Sequence, residues 1–427
     1  MKRLILTVLW LLLFPAAMLH AAATTGAYDY PFVNAYQATV VGTPTIYRAE
    51  LPEEVPVEDY SLVVFEDREI PDVFWYSEGL KFSLVRQEKR APLIFVIGGT
   101  GASYNSTKVK DLQRMFYQAG FSVIALSSSV HMNFIVNAST TKVPGHLIHD
   151  TEDLYRVMEK AYQKVADRVD VSEFYLTGYS LGGTQAAFLT RLDEERQVFN
   201  FKKVLMINPA VNLFNSVGII DQMLADTVGD APGAFNSYLG RVIRSFATAF
   251  DRSDPLSFNE DFLYQVYKKK IPTDAALESL IGFSFRVSAS NMIFTSDVMS
   301  GYGLLVPPGT QLTQTTPLID YLGASLHMSF RDYYDRYFFP FYHARNPLLT
   351  PEQLQYQMSL ESIAPYLRRT EKLAMMTNND DLILSPEEVA FLQDVFGPRA
   401  TIWPTGGHCG NLQQKDVVAF IVSYFKD

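Results

Sequence analysis

Apolar residues gather in short runs over two stretches of the chain, about residues 60–210 and 370–427. Between them that rhythm stops. Runs of this length, bounded by turn residues, are the signature of strands, and wider apolar spacing at three and four residues is that of helices. In the first stretch Tyr60–Phe65, Leu80–Val85 and Pro92–Ile97 read as strands. The third is continuously apolar, as in a strand covered on both faces. It runs into Gly98-Gly99-Thr100-Gly101. Lys108–Ala119 then predicts a helix stopped by Gly120, and Phe121–Leu126 a strand. Over Asp150–Val165 the residues Leu154, Val157, Met158, Ala161, Tyr162 and Val165 share one helical face, with Asp150 as the expected N-cap. Phe174–Thr177 is a strand, a helix begins near Gly182, and Lys203–Asn208 is another strand. The second stretch supplies a strand at Lys372–Thr377, a helix at Pro386–Phe396, a strand at Ala400–Trp403 and a closing helix at Gln414–Phe425.

This alternation predicts an α/β fold, a mostly parallel central sheet with helices on both faces. The segment between the two stretches is too long for a loop and predicts a large, mainly helical lid insertion, with Asp261–Lys269 and Gln353–Leu367 as helical pieces. The expected organisation is a signal peptide over 1–23, an N-terminal arm over 24–58, a core over 59–210, a lid or cap over 211–368, and the rest of the core over 369–427.

Charge and composition narrow the class. A net charge of −10 over 427 residues argues against a nucleic-acid-binding surface as the main function. Lys2 and Arg3 precede the apolar run Leu4–Phe14, Pro15 breaks it, and Ala21-Ala22-Ala23 offers a cleavage site. That is a secretory leader, predicted to be cut after Ala23 and to deliver a periplasmic protein. An uncleaved N-terminal anchor is the alternative, although the apolar run is short for a membrane span. Cys409 is the only cysteine, so no intramolecular disulfide forms, and a packed role is expected of it.

The chemistry centres on Gly178-Tyr179-Ser180-Leu181-Gly182, which follows a predicted strand directly and opens a helix. A serine on so tight a turn is pushed out at the sheet's end, beside the free N–H groups of a helix N-terminus. Serine needs a base, and the base needs a carboxylate to orient it. His408, in Gly406-Gly407-His408-Cys409-Gly410, follows the last strand, and Asp380-Asp381 follow the strand before it. Asp381 is the preferred acid, with Asp380 as the alternative. An oxyanion needs two N–H donors, and those of Leu181 and Thr100 are expected to supply them. Gly99 and Tyr179 are expected beside the substrate. His146 and His149 stand at a metal-like spacing with no accompanying cluster, so a solvated or capping role is expected and no metal site. His131 and His327 have no partner that sequence reveals.

Gly98-Gly99-Thr100-Gly101, Gly178-Tyr179-Ser180-Leu181-Gly182, Asp381 and Gly406-Gly407-His408, in that order, resemble the α/β-hydrolase superfamily over about 60–210 and 370–427. One departure is Gly98-Gly99, where the family commonly has His-Gly. The resemblance implies a serine hydrolase that uses no cofactor and acts on esters, lipids, amides or peptides. The aromatic run Arg331–His343 is expected first to pack the lid against the core; the sharper reading is a lid lining an apolar acyl pocket, with Phe338 and Phe339 as substrate-binding residues. The expected function is thus hydrolysis of a carboxylic ester by an exported enzyme, its partner a small-molecule or lipid-like acyl substrate. Peptidase, amidase or acyltransferase action, or a non-catalytic envelope protein on the same fold, are the alternatives. Contact with a membrane and the oligomeric state stay open.

Overall fold

The computed structural model describes residues 28–229, 233–247 and 273–426. The leader over 1–23 and the expected helix Asp261–Lys269 lie outside the described residues. Eight strands form one sheet: β1 (Val57–Leu62), β2 (Leu80–Val85), β3 (Ala91–Ile97), β4 (Ser122–Leu126), β5 (Val171–Tyr179), β6 (Val204–Ile207), β7 (Leu373–Asn378) and β8 (Ala400–Trp403). Their order is β1-β2-β4-β3-β5-β6-β7-β8. β2 pairs antiparallel with β1 and β4, and every pair from β4 to β8 is parallel.

Strand β3 explains why the sheet is covered on both sides. Leu93, Phe95 and Ile97 enter one apolar core, and Ile94 and Val96 enter the other. The first core is closed by the short α3 (Met132–Asn137), by α4 (Leu147–Val165) and by α5 (Leu181–Arg196). The second is closed by α2 (Thr107–Gln118) and the C-terminal helix, through Val109, Leu112, Phe116, Val417, Ile421 and Phe425. A parallel sheet whose strands are apolar on both faces requires this double cover.

Three local expectations are corrected. The first strand is Val57–Leu62, not Tyr60–Phe65, because its register with β2 sets Tyr60 against Phe82 and Leu62 against Leu80, where β2 begins. Val63, one residue further, faces solvent. Helix α4 starts a turn earlier than Asp150, because Leu147 is itself fully buried and extends the apolar stripe. Asp150 is therefore not the cap but a buried residue of the first turn, accepting from the Gly145 N–H at 2.9 Å and the Ser129 hydroxyl at 3.1 Å. Gln353–Leu367 is not one helix. Thr350 caps Pro351–Gln357, Ser359 opens a tight turn over Leu360–Ile363, and a short helix resumes at Ala364–Arg369 with a proline in its first turn.

Two further features bear on the site. The arm carries a helix, α1 (Ala35–Val41), shortly after Tyr28. Between β6 and β7 the described chain is helical: α6 (Leu213–Val228), α7 (Ala234–Ala247), α8 (Asp274–Ser300), α9 (Ile319–Leu326), α10 (Phe330–Tyr333), then a π-helical turn over Tyr334–Phe338 continued by α11 (Phe339–His343). No described helix is long and apolar enough to cross a membrane.

Candidate active site

The strand order decides where the chemistry falls. β3 lies between β4 and β5, so the chain leaves it in opposite directions across the sheet. A crevice opens outside the carboxyl ends of strands at such a switch point. The Gly98–Gly101 loop leaves β3 there, and Ser180 leaves β5 beside it, since Ile97 pairs with Gly178.

Ser180 has φ 55° and ψ −125°, an unfavourable conformation for a residue with a side chain. It is held there by its N–H bond to Ile207 O at 2.8 Å and by the α5 bond from Thr184 N to Ser180 O at 3.0 Å. The glycines of the motif are there for space. A Cβ on Gly178 would run into the Gly182 carbonyl, and one on Gly182 would sit 2.7 Å from Gly98 O. The turn is thus pressed against the β3 loop, backbone to backbone, at Gly182.

The residues expected as base and acid come from the two loops beyond. His408 Nε2 lies 2.9 Å from Ser180 Oγ, and its Nδ1 lies 2.9 Å from Asp381 Oδ1. Asp381 is thereby the carboxylate in line. Its second oxygen accepts from Asn208 Nδ2 at 2.8 Å and from the Thr377 hydroxyl at 3.1 Å, and Oδ1 also accepts from Ile383 N at 3.2 Å. Both carboxylate oxygens are thereby hydrogen-bonded inside the protein. Asp380 faces elsewhere and accepts from the Gly407 N–H at 2.9 Å. Burial disfavours a charged His408 ring, but Cys409 and the Asp381 carboxylate more than offset this and raise its pKa well above the ordinary 6.5.

The N–H groups expected to meet an oxyanion are equally local. Ala102 N bonds to Gly99 O at 2.9 Å across a turn with Gly101 at φ 73°, which leaves the Thr100 N–H outside the turn's own bond. Leu181 N is in the first turn of α5, where N–H groups have no intrahelical acceptor. Thr100, Ser180 and Leu181 all border one pocket of ≈ 30 Å³. Its remaining wall is apolar apart from Ser216, with Leu213, Val217, Ile220, Phe285, Phe330 and Ile383.

Several expected residues sit apart from this pocket. Phe338 is buried against Gly145, Tyr334 and Tyr342, and Phe339 stacks on Tyr334 and His343. Neither lines the pocket, because the π-helical turn and its neighbours bury these rings against the core and its loops. Tyr179 points into the second core, and Gly99 lies between its ring and the Ser180 Cβ. His146 stacks on His149 and Tyr342, with ring centroids 4.4 and 4.8 Å apart. Among the described residues no three His, Cys, Asp or Glu side chains converge on a metal position. Asn208 is what sequence reading missed. Its place in an apolar run reads as the end of a strand, yet its left-handed backbone, φ 45°, aims its amide at Asp381. A larger groove of ≈ 680 Å³, lined by Lys202, Lys203, Arg369 and Lys372 among others, opens at the amino ends of β6 and β7, away from Ser180.

The strand order, the strand–serine–helix turn and the order Ser180, Asp381, His408 define an α/β-hydrolase fold. No family model and no curated protein matches the chain. Among solved structures it is similar to a thioesterase domain from the curacin biosynthetic pathway, 12% identical, with 87% of this chain and 100% of that one covered and a TM-score of 0.39. It is also similar to an esterase from Pyrococcus furiosus at 10% identity, with 87% and 91% covered and a TM-score of 0.40. Est1E from Butyrivibrio proteoclasticus is 13% identical, with 82% and 97% covered and a TM-score of 0.35. Likenesses this distant say nothing of substrate, and the fold assignment stands on the chain's own topology.

Proposed function

We propose that the protein is a serine hydrolase that cleaves a carboxylic ester with an apolar acyl group. The observation that carries this reading is the relay Ser180–His408–Asp381, at 2.9 Å for both links, opening on the pocket that Thr100 and Leu181 border. Ser180 Oγ attacks the ester carbonyl while His408 Nε2 takes its proton, and Asp381 holds the Nδ1–H and favours the imidazolium. The Thr100 and Leu181 N–H groups receive the oxyanion. His408 returns the proton to the departing alkoxide, leaving an acyl-enzyme. Water then attacks the acyl carbon with His408 as base, and Ser180 regains its proton as the acid leaves.

The apolar wall supports this substrate class. A cavity of ≈ 30 Å³ holds about one or two waters and no acyl chain. Binding an acyl chain therefore requires Phe285 of α8 or Phe330 of α10 to move, which makes the insertion a lid over Ser180. Export is part of the same proposal, supported by Lys2-Arg3, the apolar run Leu4–Phe14 and Ala21–Ala23. N-terminal sequencing of the protein from a periplasmic fraction should begin at Thr24, and an intact Met1 would refute cleavage.

A fluorophosphonate probe with p-nitrophenyl esters of graded length tests the chemistry. Ser180 should label covalently and Ser180→Ala should not, with hydrolysis lost by about 10⁴-fold or more. Labelling that survives Ser180→Ala, or folded protein with neither labelling nor hydrolysis, refutes the reading.

A further inference from the structure

The loop that carries His408 is poorly suited to hold its own shape. Gly406 has φ 152°, Gly407 φ 54° and Cys409 φ 61°. Two glycines cost extra backbone entropy to order, and a left-handed cysteine is strained, so such a loop persists only when its surroundings over-determine it. Its ties come from two sources. The core supplies Asp380 to the Gly407 N–H at 2.9 Å and Asn378 Nδ2 to Gly407 O at 2.7 Å. The N-terminal arm adds three more. Tyr28 Oη donates to Thr405 O at 2.8 Å, Thr43 Oγ1 donates to Gly410 O at 3.0 Å, and Thr39 Oγ1 accepts the His408 N–H at 2.9 Å.

The Thr39 contact has a definite direction. The Thr39 hydroxyl donates its own proton to Ala35 O, one turn back in α1, at 2.7 Å. Its lone pair is therefore fixed toward His408. The approach is also close: a Cβ on Gly407 would overlap Ala35 O and Thr39 Oγ1, and one on Gly410 would overlap Ala38 O. The far side of α1 is anchored as well. Val40 packs in one apolar cluster with Met223 of α6 and Leu277, Leu280 and Ile281 of α8, and Tyr36 and Leu382 pack against it. Leu382 follows Asp381 directly, so α1 braces both the acid's loop and the histidine's loop against the insertion.

We propose that α1 belongs to the catalytic apparatus and that Thr39 is a positioning residue that sets the backbone of His408. The inference rests on the hydrolase reading for its kinetic consequence, and on the geometry alone for its effect on the imidazole. Thr39→Val keeps the side-chain shape and removes the acceptor, and Thr39→Ser keeps the acceptor. A shift of about 1 Å in a reacting group costs on the order of 10²-fold in rate. In the full chain, Thr39→Val should lower kcat by about tenfold or more with KM within about twofold, and Thr39→Ser should restore it.

The second readout needs no turnover. The ring faces Asp381 and Cys409, which raise its pKa. A displaced ring loses part of that contact, so the NMR-detected His408 titration should move down toward the ordinary histidine value in Thr39→Val and return in Thr39→Ser. A wild-type titration and wild-type kcat in Thr39→Val would overturn the proposal. So would equal losses in Val and Ser variants that track a lowered unfolding midpoint. If Thr39→Val does not fold, Thr39→Ala takes its place, and failure of both to fold overturns the proposal by making Thr39 purely structural. If the wild type shows no Ser180-dependent turnover yet the titration shifts as expected, the positioning stands and the hydrolase reading falls.

Discussion

At the scale of single residues, Asn208 shows how much of a site can be carried by a group that never meets substrate. Its Nδ2 gives Asp381 a neutral donor at 2.8 Å, and it adopts a left-handed backbone that asparagine tolerates better than most residues. Asn208→Ala should therefore reduce kcat by about tenfold or more with KM little changed, while labelling by the fluorophosphonate slows in proportion. His408 supports a second prediction. In the proposed mechanism His408 must be neutral to take the Ser180 proton, and its pKa is raised, so activity should be lost as pH falls through that raised value. The acid limb of kcat/KM should have its midpoint above 6.5, the ordinary histidine value, when measured on a small ester. A midpoint at or below that value would contradict the placement of the imidazole beside Asp381 and Cys409. The serine, the histidine and the pair of aspartates were legible in sequence because their chemistry is tied to strand ends. Sequence favoured Asp381 to face His408 but left Asp380 open, because neighbouring residues in a loop point in different directions only once the loop has a path.

At the scale of elements, the aromatic run Arg331–His343 and helices α6 and α8 exchange the roles that composition suggests. The run is the densest aromatic stretch, yet its rings face one another and the 143–146 loop, with Tyr333 Oη donating to Pro144 O at 2.9 Å and Tyr342 Oη to Val143 O at 3.2 Å. The pocket wall is instead made by Leu213, Val217 and Ile220 of α6 and Phe285 of α8, with Phe330, one residue before the run, as the nearest contributor. Phe338→Ala should thus lower stability by about 3–5 kcal/mol and leave the ranking of esters by chain length unchanged. Phe285→Ala should favour longer chains over acetate, by roughly the 1–3 kcal/mol that a methylene-sized change in a pocket is worth. Denaturant unfolding and kcat/KM across an acyl series separate the two outcomes, and the reverse result would return the pocket to the aromatic run. Periodicity found the core helices because an apolar stripe is a local pattern. It could not say which helix of the insertion covers Ser180, because that depends on contacts between segments far apart in the chain.

At the scale of the whole molecule, buried titrating groups away from the site set how stability responds to pH. Burial lowers His131 and His146 to about 4, so the stability they contribute is present above the ordinary 6.5 and is lost as pH falls toward 4. Asp150 works in the opposite sense. Burial raises it from 3.8 to about 7, so its contribution is present below about 4 and is lost as pH rises through about 7. Asp150→Asn should leave the histidines unopposed. Between pH 4 and 6.5 the variant's unfolding free energy should climb more steeply than the wild type's, by about 1 kcal/mol per pH unit, as read from denaturant midpoints. Parallel curves would show that Asp150 is ionised in the folded protein. Taken over its full length, the chain determined by local pattern alone the doubly covered sheet, the strand-to-helix turn at Ser180 and the chain order Ser180, Asp381, His408. Those features are encoded by apolar runs, glycines and turn residues within a few positions of one another. Tertiary structure alone decided that Asp381 rather than Asp380 meets His408, that Asn208 and Thr39 support the site, and that α6 and α8 wall the pocket. Each of those is a contact between residues distant in sequence, and its direction exists only once the backbone has closed around it.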